Sequence, residues 1–124
     1  MSNNRQYSGW MAEQIAKLYL YETELLDVYQ SDSQKFDFVC MFKEDMTKTF
    51  GVEVKSSKYS KRQIIKVYSK VRNESLRVKI PILMLYINYE DKTGYFEFIY
   101  DRLNEDLTVL TTQNLKLALI NFKT

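Results

Sequence analysis

Residues 35–57, KFDFVCMFKEDMTKTFGVEVKSS, read as a β-hairpin around which the rest of the chain is arranged. Lys35 to Phe42 forms an apolar strand, Lys43 to Met46 the turn, and Thr47 to Lys55 the return strand. Side chains on a strand alternate between faces, so Glu53 and Lys55 share one face and Val52 and Val54 the other. On the first strand Phe36, Phe38, Cys40 and Phe42 line one face, which puts Asp37 on the opposite one. Paired in the expected register, Asp37, Glu53 and Lys55 converge on one patch. Two carboxylates and an amine at the end of a buried hairpin suit a divalent cation and an activated water. Val39 and Met41 make the second face apolar as well, as in central strands covered on both sides. Gly51 marks a bulge or a close approach.

Composition narrows the chemistry. The 124 residues make one domain, 1–124, with an ordinary 45 % hydrophobic and 27 % charged content. No apolar run reaches the roughly 18 residues that span a bilayer. The polar start MSNNRQ lacks a signal-peptide core, so a cytoplasmic protein without membrane association is expected. With no histidine and a single cysteine, Ser-His triads, Cys-His dyads and most zinc sites are excluded. Cys40 lies within the apolar strand and reads as a buried small hydrophobe. Catalysis would have to use carboxylates, lysine, tyrosine and a hard cation.

Net charge is only +2, but it is unevenly spread. From Lys55 to Lys79 nine basic residues face a single acid, Glu74, so this segment carries +8 and the remainder −6. Such asymmetry fits a polyanion held on one side, or a lysine-rich solvated surface.

Ahead of the hairpin, residues 1–7 read as a loose tail. Ser8 is a candidate N-cap for a helix to about Glu24, with Met11, Ala12, Ile15, Ala16 and Leu18 among its apolar side. Glu13 lies at the margin of that side, able to reach a cleft beside the sheet or to sit exposed in the first turn. Leu25 to Gln30 is a short strand. After the hairpin, Ser60 and Gln63 form a capping box opening a helix. Ile64, Val67, Tyr68 and Val71 share its apolar face, while Arg62, Lys66 and Lys70 form a basic stripe about 12 Å long. Ile80 to Tyr89 is a strongly apolar strand and Tyr95 to Tyr100 its antiparallel return. Thr111 or Thr112 caps a last helix with Leu115, Ala118, Leu119 and Phe122 on one side. The order α, β, β, β, α, β, β, α favours a mixed sheet with helices against its faces, an α/β fold.

Taken together, GWMAE on a helix, LLDVYQ, FDFVCMF and FGVEVKSS followed by a helix and a strand resemble the PD-(D/E)XK nuclease superfamily. The order is most similar to its archaeal Holliday junction resolvase and restriction-endonuclease-like branches, over roughly Ser8 to Tyr89. The resemblance implies a restriction-endonuclease-like core, α-β-β-β-α-β, extended by a C-terminal strand and helix. Asp37 matches the motif aspartate, Glu53 the second acid, Lys55 the lysine and Glu13 the first-helix glutamate; Ser56 agrees with the resolvase pattern. Phe36 stands where the family often has proline.

The same resemblance implies a Mg2+-dependent (or Mn2+-dependent) endonuclease acting on DNA. Asp37, Glu53, the Val54 carbonyl and Glu13 would be metal ligands, with Lys55 placing the attacking water. Lys58, Lys61, Arg62, Lys66 and Lys70 would hold the nucleic-acid backbone, and a homodimer is implied by the same analogy. The alternative is a catalytically inactive module of this fold that binds nucleic acid or a protein partner. A second acid-x-Lys triplet, Glu90-Asp91-Lys92, sits in a turn with no aspartate-bearing strand ahead of it.

Overall fold

A computed structural model describes residues 2–32 and 35–124, with side chains from Arg5 onward. Among the described residues six strands form one sheet in the order β1-β2-β3-β4-β5-β6. They are β1 (Leu26–Gln30), β2 (Phe38–Phe42), β3 (Thr49–Ser56), β4 (Ile82–Asn88), β5 (Thr93–Ile99) and β6 (Thr108–Val109). The pair β3–β4 is parallel and every other pair antiparallel. The helices are α1 (Ser2–Glu22), α2 (Lys61–Val67), α3 (Ser69–Ser75) and α4 (Thr112–Lys123).

Alternation along β4 sorts the two cores. Leu83, Leu85 and Ile87 join Phe38, Cys40, Phe42, Phe50 and Val52 beneath α1 and α4. Ile82, Met84 and Tyr86 join Ile64 of α2 on the other face, with Tyr68 and Val71 packed alongside. The chain is therefore α/β with helices on both sides of a mixed sheet, and β4 is covered on both faces, as its unbroken apolar run implies. No helix among the described residues is long and apolar enough to cross a membrane.

Several expectations need correction. Residues 2–7 belong to α1, so they are not a loose tail and Ser8 is not a cap; its hydroxyl instead donates to the Arg5 carbonyl one turn back. Leu18 of α1 and Val67 of α2 point to solvent although helical spacing puts both on apolar faces. The basic helix is interrupted at Tyr68 (φ −99°, ψ 19°), where the ring packs 5.3 Å from that of Tyr86 and the hydroxyl donates to the Ser56 carbonyl. Its opening is as expected, with the Ser60 hydroxyl accepting from the Gln63 amide and the Gln63 side chain accepting from the Ser60 amide. The short strand β6 falls in a stretch to which the sequence assigns no element, and Thr111 is the cap of α4.

Phe36 and Phe38 do not share a face. Phe38 lies under α1, whereas Phe36 packs with the α2–α3 core, its ring occupying the space a Cβ on Gly51 would need. Regular pairing begins only at Phe38, so the alternation extrapolated back through Asp37 fails there. Gly51 thus marks a close approach of a ring rather than a bulge.

Candidate active site

At the open end of the β2–β3 pair, Asp37 makes one main-chain and one side-chain bond to the edge of β3. Its amide donates to the Val52 carbonyl (2.8 Å), and its Oδ2 accepts from the Val54 amide (2.7 Å). These two bonds bracket Glu53, so Asp37 lies directly beside it along the edge of β3. The Asp37 carbonyl turns the other way, to the amide of Ser31 (3.3 Å). A residue's N–H and C=O on a strand point to the same neighbour. The Val54 carbonyl therefore opens onto the edge that holds the Asp37 carboxylate.

Glu53 and Lys55, two apart on one face of β3, form an ion pair at 3.1 Å. Glu53 also lines a cleft of about 330 Å³ between β3 and the α3–β4 connection, rimmed by Lys35, Glu74 and Arg77. Glu13 arrives from α1, which packs on the opposite face of the sheet, and shares a side-chain hydrogen bond with Asp37. Burial pushes its carboxyl up to about 7; the hydrogen bond and the negative charge of Asp37 add to this, and Lys17 partly offsets it. Asp37 thus bonds to the backbone on either side of Glu53 and to Glu13 from the other face of the sheet, while Glu53 pairs with Lys55.

The raised pKa of Glu13 fixes the sign of a pH effect. The folded state keeps a proton that the unfolded chain releases above 4.5, so this stabilisation is complete at lower pH and is lost as pH rises toward 7. Relative to Glu13→Gln, the wild type should therefore lose stability across that window in urea melts. Parallel pH profiles for the two proteins would contradict the raised pKa of Glu13.

Oxygen donors alone make up this set, as a hard cation requires. No group of three or more acidic, cysteine or histidine side chains among the described residues converges to hold a metal ion. Asp37 Oδ2 faces the Val54 amide and Glu53 Oε1 faces Lys55. Magnesium commonly uses only one or two carboxylates and keeps several waters, so a three-carboxylate cage is not a requirement of that ion.

The basic residues divide. Lys58 pairs with Glu90 (2.6 Å) and Lys61 with Asp106 (3.6 Å), whereas Arg62, Lys66 and Lys70 are exposed and in no ion pair with a described residue. Arg72, counted with the basic segment, is not on the surface at all. Its Nε and Nη2 donate to Glu97 Oε2 and Oε1 at 2.8 and 2.9 Å, with the two side chains 4 % and 1 % exposed. Tyr86 donates to Glu97 (2.7 Å), and Arg72 also donates to the Asn104 carbonyl (2.7 Å). The hydrogen bond to Glu97 raises the Arg72 pKa, while burial, then the Glu97 charge, raises that of Tyr86. Sequence reasoning misses this network. Its one signal is Glu97 within the apolar run YFEFIY, since a charge at the core face of a strand demands a partner. The second triplet, Glu90-Asp91-Lys92, lies in the β4–β5 turn, where Lys92 takes φ 59°.

Comparison with protein-family models, curated sequences and solved structures returned no match to this chain.

Proposed function

We propose that the protein is a Mg2+-dependent DNA nuclease of the PD-(D/E)XK type. The observation that carries this reading is the bracketing of Glu53 by Asp37, with Lys55 on the same face and Glu13 bonded to Asp37. The element order α-β-β-β-α-β supports the restriction-endonuclease-like core that goes with it. So does the position of the cluster on the carboxyl half of β3, since ligands of α/β sheets gather at the carboxyl ends of parallel strands.

Asp37 and Glu53, with the Val54 carbonyl, would hold the cation, and Glu13 would join them directly or through water. When bound, Mg2+ supplies charge neutralisation on the phosphate and a lowered pKa for its water. The Val54 amide holds the Asp37 carboxylate to the strand edge, so that ligand is oriented before any ion arrives. Lys55, anchored by Glu53, stands where its ammonium can orient the attacking water or offset charge on the scissile phosphate. Arg62, Lys66 and Lys70 would track the backbone, joined by Lys35 and Arg77 at the Glu53 cleft.

A binding-only module of the same fold is the second reading, favoured by the lack of a convergent three-carboxylate group among the described residues. A cleavage assay on duplex, single-stranded, flap and four-way-junction DNA, with Mg2+ or EDTA, separates the two. Mg2+-dependent products support the nuclease; salt-sensitive binding without cleavage supports the module. Under either reading, replacing Arg62, Lys66 and Lys70 by alanine should weaken DNA binding at least about tenfold near 0.1 M salt and lower the log-log salt slope by about three. An unchanged slope would remove these residues from the interface.

A further inference from the structure

The outer face of α1 carries a stripe that the nuclease reading leaves unused. Tyr7, Trp10, Leu18 and Tyr21 are each between 52 and 59 % exposed. At 100° per residue they fall within an arc of about 80°, and they extend about 21 Å along the helix. No charged residue lies inside that arc, which counts against a nucleic acid as its occupant.

The stripe is symmetric about Gln14. Tyr7 and Tyr21 lie seven residues to either side, Trp10 and Leu18 four to either side, and each pair straddles the direction of Gln14. We infer that a second copy of this chain covers the stripe, through antiparallel α1–α1 packing on a two-fold axis at Gln14. Trp10 of one copy then meets Leu18 of the other, Tyr7 meets Tyr21, and the two Gln14 amides, each both donor and acceptor, face one another on the axis.

The four side chains expose together roughly 400 Å² per copy, taking half of the area an aromatic or leucine presents. That matches the largest apolar patches of monomers but is about half of a standard interface, so the pair dissociates in the micromolar range or above. Glu13 adjoins the axis residue, so the two candidate sites flank it.

The test needs neither metal nor DNA. Trp10 is the only tryptophan, so its emission should shift to shorter wavelength as concentration rises from about 1 to 200 μM, in step with doubling of the mass by sedimentation. Leu18→Glu and Trp10→Lys, both at exposed positions, should each weaken dimerisation on the order of 100-fold while leaving the circular dichroism unchanged. Mixing these two variants should restore association, because position 10 of one then meets position 18 of the other. A monomer at every concentration, Leu18→Glu dimerising like wild type, or no rescue on mixing would each overturn the proposal. These readouts are independent of whether the protein cleaves DNA.

Discussion

Alanine at Asp37, Glu53 or Lys55 is expected to abolish Mg2+-dependent DNA cleavage, with a rate loss of at least about 1,000-fold for each. The three should differ in their side effects. Asp37→Ala also leaves the Val54 amide without its acceptor and so loosens the edge of β3. Asp37→Asn keeps an acceptor there while removing the charge, so it should retain wild-type stability and still fail to cleave. Glu53→Ala releases Lys55 from its 3.1 Å partner, and Lys55→Ala removes only the less buried end of that pair. Initial cleavage rates of an end-labelled DNA, beside circular dichroism and urea melts, separate loss of chemistry from loss of fold. Wild-type rates in all three variants would sink the assignment.

The largest effect on stability is expected at a residue with no assigned role in the chemistry. Arg72→Met should destabilise the protein by about 3–5 kcal/mol, because it leaves the Glu97 carboxylate uncompensated in the core. Glu97 sits in one row of the sheet with Met84 and Glu53, and Arg72 reaches it from α3 while also holding the Asn104 carbonyl. The network thus ties the basic helical segment to β5. Replacing both partners, Arg72→Met with Glu97→Leu, should recover much of the loss, since paired apolar groups avoid the buried charge. Because Arg72 is not on the surface, the salt slope of DNA binding should not change. Urea unfolding that shows less than about 1 kcal/mol for the single variant would mean that the pair is far better solvated than its geometry requires.

Asp37 and Arg72 mark the boundary of what is legible in the residues. Strand character in residues 38–42 and 49–56 is readable from alternation, and β4 from its apolar run, because burial imposes those patterns directly. The placement of Glu53 and Lys55 on one face of β3 is readable as well, but not the way Asp37 reaches the edge of that strand. Asp37 stands before the first paired residue of β2, where alternation no longer governs direction, and hydrogen bonding to the edge of β3 decides instead. The amino-terminal extension of α1 over SNNRQY carries no apolar periodicity, so nothing in the residues marks it. The stripe on α1 is hidden for the opposite reason: that helix has apolar residues on two sides, and periodicity alone does not say which side the sheet takes. Arg72 looks like one more cation in a basic segment, because a charge count is blind to the partner that buries it.

The most direct test of the central claim is a crystal soaked in Mn2+, with data collected for anomalous scattering from manganese. The expected result is a peak shared by the carboxylates of Asp37 and Glu53 and the Val54 carbonyl, absent in Glu53→Ala. A wild-type crystal with these groups ordered and no anomalous peak between them would contradict it.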